Sequence, residues 1–325
     1  MHAQDIRMRI TILDDWTNSV RNLKCFSKLA GHDVQIWTDS AVDEDTLIRR
    51  LVATEVIVLI RERTHIGQRV IAALPALRLI SLWGPASHID LEGCRSADVL
   101  VTSATRASKP SFATAELTWA LILAAARYLP DQIAALKEGR WQTSLGRTLQ
   151  GRRLGILGFN DIGQLTACYG VAFGMSINVW GSQAGRSHAR MAGYTVPDTR
   201  SAFFCGSDVV SIHLCLPGGS MHSVTAEDLA GMGPDSILVN TSGSTILEAH
   251  TLLAALQTGR PGLAAIDLFD RDPTDPALEP LLSHPRVIAT PHLGYATTDE
   301  FEDCLAVVFD QVLAYARGSP INIIT

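Results

Sequence analysis

The chain of 325 residues has few of the features that mark exported, membrane-spanning or polyanion-binding proteins. Its six cysteines, Cys25, Cys94, Cys168, Cys205, Cys215 and Cys304, never fall at CxxC spacing. Neither a disulfide framework nor a thiolate metal site is therefore expected, no metal ligands are assigned, and a reducing cytoplasm suits the thiols. Lysine and arginine form no basic stripe and the formal net charge is −6. Nucleic-acid binding draws its affinity from clustered cations meeting phosphates, so no such partner is expected. Residues 1–7 contain no apolar core of a secretory signal, which argues against export. The longest apolar stretch, residues 117–126, is broken by Thr118 and is well short of the ~20 residues that cross a bilayer. It reads as a buried helix, and no membrane partner is expected. Short-period repeats, low-complexity tracts and long charge blocks are absent from the sequence as well.

What the chain does have is apolar mass. With 47% hydrophobic residues and roughly 100–200 residues per domain, it has the content for two domains with substantial cores. Short apolar runs at 9–13, 34–38, 56–60, 77–81 and 99–101 alternate with longer amphipathic ones, and a second series follows at 154–157, 177–180, 209–212, 237–239, 263–266 and 287–289. Such alternation is the signature of parallel sheets covered by helices on both faces. The expected fold class is α/β, with two doubly wound parallel-sheet domains. Pro130 is read as a helix stop between the two series, because proline lacks the amide donor. A last amphipathic stretch from 298 to 317 ends at Gly318 and Pro320, residues that commonly close a helix.

In the second series, the strand at 154–157 runs into Gly158-Phe159-Asn160-Asp161-Ile162-Gly163. In the dinucleotide fingerprint G-x-G-x-x-G the first glycine makes the turn, the second lets backbone approach a pyrophosphate and the third packs helix on strand. Gly158 and Gly163 fill the first and third places, and Asn160 takes the second, where its side chain is expected to turn toward the ligand. The helix start that follows favours phosphate, although Asp161 adds a negative charge. After the next strand, where a carboxylate would hold ribose hydroxyls, the chain reads Gly181-Ser182-Gln183, with Arg186 downstream. NAD and NADP both stay open as cofactors; Arg186 favours the second unless it is a solvated loop residue.

Three further motifs carry a resemblance. Asn240-Thr241-Ser242-Gly243-Ser244-Thr245-Ile246-Leu247-Glu248, Asp267-Leu268-Phe269-Asp270-Arg271-Asp272-Pro273 and Thr290-Pro291-His292-Leu293-Gly294-Tyr295 resemble the marks of the D-2-hydroxyacid dehydrogenases, and specifically the phosphoglycerate dehydrogenase-like branch. Thr114-Ala115-Glu116-Leu117-Thr118-Trp119-Ala120 and Gly139-Arg140-Trp141-Gln142 extend the likeness to nearly the whole chain. The resemblance implies a flavodoxin-like substrate domain at 1–105 plus 296–325 and a Rossmann NAD(P)-binding domain at 106–295. It further implies a homodimer built around the helix that begins near Ala115.

By the same resemblance, His292 is the acid/base for the reacting oxygen and Asp272 the carboxylate that orients it. The residue types suit the work, since imidazole titrates near neutrality and an adjacent carboxylate stabilises imidazolium. The family usually has glutamate at 272, so the aspartate is shorter by about 1.5 Å. Asp267 would meet the nicotinamide end, with loop capping as its plain alternative. Thr241, Ser242 and Gly294 complete the implied cofactor contacts, beside Gly158, Asn160, Asp161, Ile162, Gly163 and Ser182.

One position departs sharply. Where the family has an arginine that grips the substrate carboxylate and polarises its carbonyl, this chain has Gly243. Loss of one such donor costs ~3–4 kcal/mol of transition-state stabilisation. The loop at Trp83-Gly84-Pro85-Ala86-Ser87-His88, which in relatives offers amides to the same carboxylate, has lost a donor at Pro85 and gained bulk at Trp83. Arg61, Arg63 and Lys109 are the cations left to substitute, unless each is a solvated salt-bridge partner. The preferred reading is an NAD(P)-dependent oxidoreductase acting on a small 2-oxo or 2-hydroxy compound. The alternative is a dinucleotide-binding homologue with little or no dehydrogenase activity, serving as a sensor or partner-binding module.

Overall fold

A computed structural model describes residues 7–104, 112–214, 223–267 and 278–325. The chain forms two compact units, one of residues 1–109 with 298–325 and the other of residues 110–297.

In the first unit, β1 (Arg9–Ile12), β2 (Asp33–Ile36), β3 (Val56–Ile60), β4 (Leu79–Trp83) and β5 (Leu100–Ala104) form a parallel sheet in the order β2-β1-β3-β4-β5. Strands β3 and β4 are buried along their whole length, Val56-Ile57-Val58-Leu59-Ile60 and Leu79-Ile80-Ser81-Leu82-Trp83. Helices cover both faces of a parallel sheet, so its strands read as continuous apolar runs without alternation. The last helix, Thr298–Ala316, packs on β4 and β5. Its buried Gln311 accepts from the Ser81 hydroxyl at 2.7 Å and the Thr102 hydroxyl at 3.2 Å, which anchors it by polar contacts within the core.

In the second unit, β6 (Arg153–Leu157), β7 (Ser176–Trp180), β8 (Val209–Ile212), β9 (Ile237–Asn240), β10 (Leu263–Asp267) and β11 (Val287–Thr290) are again all parallel, in the order β11-β10-β9-β8-β6-β7. Successive residues serve opposite faces: Ile156, Val209 and Val239 enter one apolar cluster, and Leu157, Val210 and Leu238 enter the other. Beyond β7, Thr195 adds an isolated parallel bridge to Asn178. Counting that bridge as a vestigial strand gives the order 3-2-1-4-5-6-7, the doubly wound order 3-2-1-4-5-6 with β11 added at its far edge and the reversal between β6 and β8.

Two local expectations change. The apolar helix Phe112–Arg127 ends at Tyr128, in left-handed backbone at φ 51°, and Pro130 lies in the first turn of the next helix, Leu129–Lys137. Proline there starts a helix, because the first-turn amides have no intrahelical partner to lose. Trp83 is the buried last residue of β4, edge-on to Phe301 at 5.1 Å, and adds bulk to the core rather than to the loop that follows. Among the described residues no single helix is long and apolar enough to cross a membrane.

Candidate active site

Ligands of open parallel sheets sit outside the carboxyl ends of the strands, where the strand order reverses. At that point in the second unit, β6 is followed by Gly158 and β8 by His213. Gly158 has φ 96°, and a Cβ there would lie 2.4 Å from the His213 carbonyl oxygen. Only glycine fits so close an approach of backbone to backbone. Gly163 is equally constrained, since its Cβ would stand 2.3 Å from the Gly158 oxygen. Both glycines of the turn are thus required by contact.

Asn160 departs from its expected role. Its backbone is extended, and its side chain turns inward: Oδ1 accepts from the Gly163 amide at 2.9 Å, and Nδ2 donates to the His213 carbonyl at 2.7 Å. Asparagine here is the N-cap of helix Asp161–Ala172 and also ties the turn to the end of β8. The cap signature, Asn three residues before Gly163, was present in the chain. Asp161 is the first, exposed residue of that helix, and half-buried Ile162 accepts from the Thr166 hydroxyl.

His213, not singled out by its sequence context, is buried, with Nε2 2.8 Å from the Ser211 hydroxyl. Burial pushes its imidazole down to about 3, so it is neutral at physiological pH. Its carbonyl, not its ring, shapes the glycine turn.

The end of β7 closes the other side of the turn. The Gly158 amide donates to the Trp180 carbonyl at 2.8 Å, and Gly181, at φ 153°, lies against Gly158. Ser182 caps helix Gln183–Met191 by accepting from the Gly185 amide at 3.1 Å. Arg186 is part of that helix, with its guanidinium 4.6 Å from the Trp180 ring centroid, so it is not a solvated loop residue.

The described residues of the three motifs lie at the ends of the neighbouring strands β9, β10 and β11. Asp267, the last residue of β10, is 1% exposed and carries three inward hydrogen bonds. It accepts from the Thr290 hydroxyl at 2.6 Å, the Leu293 amide at 2.7 Å and the Gly294 amide at 2.7 Å. The carboxylate therefore holds the two residues that follow His292, so the capping alternative describes its geometry. His292 is half-buried in left-handed backbone at φ 54°, its amide bonded to the Thr290 carbonyl and its ring edge-on to Tyr295 at 4.7 Å. Such backbone in a non-glycine residue costs of the order of 1–3 kcal/mol and persists where its surroundings over-determine it. The Asp267 clamp supplies that determination. Asp272, assigned as the orienting carboxylate, lies outside the described residues.

A hydroxyl chain joins this loop to the Asn240–Gly243 segment. Thr114 donates to the Gly294 carbonyl at 2.9 Å, Thr118 to the Thr114 carbonyl at 2.8 Å, and the Thr118 and Thr241 hydroxyls meet at 2.8 Å. In the segment itself, Asn240 Nδ2 donates to the Gly243 carbonyl at 3.0 Å and its Oδ1 accepts from the Ser242 amide at 3.1 Å. The Ser242 hydroxyl donates to the Ile212 carbonyl at 2.6 Å. Gly243 has φ 173°, which is extended backbone open to any residue. Its identity as glycine is therefore not a backbone requirement.

In the first unit, the strand order reverses between β1 and β3. There Asp14 accepts from the Ser40 and Thr64 hydroxyls, while Arg63 donates to the Asp14 carbonyl and covers the Trp16 ring at 4.1 Å. Arg63 is thus engaged in joining two loops. Arg61 is in left-handed backbone at φ 61°, its guanidinium against Gly84. Lys109 lies outside the described residues.

The family described as "D-isomer specific 2-hydroxyacid dehydrogenase, NAD binding domain" matches residues 119–294. A solved phosphoglycerate oxidoreductase from Vibrio cholerae O395 is 44% identical, with a TM-score of 0.89 over 96% of this chain and 99% of that one. A hydroxypyruvate reductase of Thermotoga maritima is 31% identical over 81% of this chain and 85% of its own. A D-3-phosphoglycerate dehydrogenase of Methanocaldococcus jannaschii is 30% identical over 87% of this chain, which spans only 54% of that relative's length. The chain belongs to the D-isomer specific 2-hydroxyacid dehydrogenase family.

Proposed function

We propose that the protein is a nicotinamide-dinucleotide-dependent oxidoreductase that interconverts a small 2-oxo compound and its 2-hydroxy counterpart. The dinucleotide is held at the glycine turn Gly158 to Gly163, with Ser182, Thr241, Ser242 and Gly294 on its further contacts. When bound, the nicotinamide supplies or accepts the hydride. His292 gives its proton to the carbonyl oxygen during reduction and takes it back from the hydroxyl during oxidation. Asp272 is the carboxylate that holds the ring, and Asp267 fixes the backbone from which the ring projects. The observation that supports this reading most directly is the over-determined left-handed backbone at His292, within the segment that matches the NAD-binding part of the family.

The substrate is bound without a guanidinium at 243. The first unit takes the substrate role. A ligand lacking the usual two-point carboxylate grip suits this arrangement better than a conventional 2-keto acid. The working form is a cytoplasmic homodimer. Exposed apolar side chains at Leu129, Ile133, Leu136, Trp141, Leu145 and Val171 offer it a surface that needs cover.

The test is a screen of 2-oxo compounds with NADH and NADPH, read by nicotinamide absorbance, with calorimetric titration of each dinucleotide alongside. Turnover with at least one compound is expected. Dinucleotide binding with no turnover, and none gained in Gly243→Arg, would overturn the enzyme reading in favour of a binding protein.

A further inference from the structure

The ribose end of the dinucleotide site carries a charge pattern that the family resemblance does not dictate. From Gly181 to Arg190 the chain reads Gly-Ser-Gln-Ala-Gly-Arg-Ser-His-Ala-Arg, with no carboxylate. This run begins against the glycine turn itself, because a Cβ added at Gly181 would lie 3.4 Å from the Gly158 Cα. In doubly wound dinucleotide sites an acidic side chain here holds the ribose 2′-hydroxyl and repels a 2′-phosphate, and a nearby arginine accepts that phosphate.

Arg186 is placed for the second task. Its amide bonds to the Ser182 carbonyl at 2.9 Å, one helical turn back, and its guanidinium lies over the Trp180 ring at 4.6 Å. Stacking on an aromatic face fixes the guanidinium plane while leaving its edge donors for an anion, which lowers the ordering cost of a phosphate contact. The Ser182 hydroxyl accepts from the Gly185 amide, and its own proton remains to be donated.

We infer that the site takes a 2′-phosphorylated dinucleotide in preference to the unphosphorylated one, with Arg186 as the principal phosphate ligand and Ser182 as its neighbour. The inference rests on the dinucleotide reading above and adds the cofactor class. It makes Arg186 a specificity-determining residue at a distance along the chain from the reacting histidine.

Calorimetric titration of the unmodified protein with NADPH, NADH and adenosine 2′,5′-bisphosphate tests it without any turnover. NADPH should bind tighter than NADH on the order of 10- to 100-fold, the range of a charge-assisted hydrogen bond or two. The gap should narrow at high salt. Arg186→Gln should remove most of the gap by weakening NADPH alone. Ser182→Asp keeps a competent helix cap, so it should fold normally and shift the preference toward NADH. Equal or tighter binding of NADH by the unmodified protein would overturn the inference, as would an Arg186→Gln variant that weakens both dinucleotides alike. Binding of neither dinucleotide would sink the dinucleotide reading and this inference with it.

Discussion

The loop at His292 and the segment at Gly243 end the strands on either side of β10, and both are tightly wired. Around His292 a buried carboxylate holds two successive amides, and the backbone of the histidine is forced into left-handed geometry. Around Gly243 the side chains of Asn240 and Ser242 hold the backbone with equal care, but the residue they present has no side chain and an unstrained extended backbone. One scaffold presents the proposed proton donor, and the other presents a residue with no side chain on equally well-bonded backbone. Similar backbone wiring at two neighbouring strand ends can therefore carry very different side-chain chemistry. That contrast is why the proposed activity rests on proton transfer at His292 and not on carboxylate recognition at 243.

The largest effect should come from removing the proposed proton donor. His292→Asn should lower turnover on the order of 10²- to 10⁴-fold while leaving dinucleotide affinity, read by calorimetry, unchanged. Loss of both together would mean that the loop serves cofactor binding instead.

Asp267→Ala attacks the support on the same side. It strands the buried Gly294 amide, at about 1–3 kcal/mol when unsatisfied, together with the part-buried Leu293 amide and Thr290 hydroxyl, so the denaturation midpoint should fall. An unchanged midpoint would show that the clamp does not hold the loop.

Two glycines sharpen the contrast further. Gly158→Ala should lower stability by roughly 1–3 kcal/mol and weaken dinucleotide binding, because both its φ and the His213 carbonyl exclude a Cβ. Gly243→Arg meets no backbone objection and should change stability by less than about 1 kcal/mol, while tightening binding of carboxylate-bearing 2-oxo compounds. A Gly243→Arg variant as damaged as Gly158→Ala would erase the distinction between a required and a dispensable glycine.

The smallest effect concerns pH. Burial, with a lesser contribution from His65, pushes His88 down to about 4 from an ordinary 6.5, and burial pushes His213 down to about 3. Neither ring nitrogen of His88 has a hydrogen-bond partner among the described residues. Both imidazoles hold protons more weakly folded than unfolded, so their contribution is full above the ordinary value and is lost as pH falls from there toward about 4 and about 3. Urea midpoints should decline on acidification below the ordinary histidine pKa of ~6.5, and less steeply in His88→Leu. A flat profile across that window would contradict the burial of the two rings.

The fold was legible because parallel strands buried on both faces are written as unbroken apolar runs. The third strand of the second unit was not, since it has shrunk to a single bridge at Thr195. At the site, the glycine positions followed from spacing, whereas their neighbours required geometry. Asn160 occupies a fingerprint place yet acts as a cap, and Asp267 faces three donors brought to it by adjacent strand ends. Thr114, Thr118 and Thr241 lie in motifs that the sequence singled out, yet only folding brings their polar groups into one chain. Residue types announce chemistry, but partners set far apart along the chain are visible only once topology brings them together.

The most direct measurement is single-turnover oxidation of bound reduced dinucleotide by 2-oxo compounds, comparing the unmodified protein with His292→Asn at saturating cofactor. Oxidation by the unmodified protein that collapses in His292→Asn, with the dinucleotide still bound to both, is the predicted result. Bound dinucleotide that is never oxidised, or is oxidised equally by the two proteins, would contradict the assignment of His292 as the proton donor.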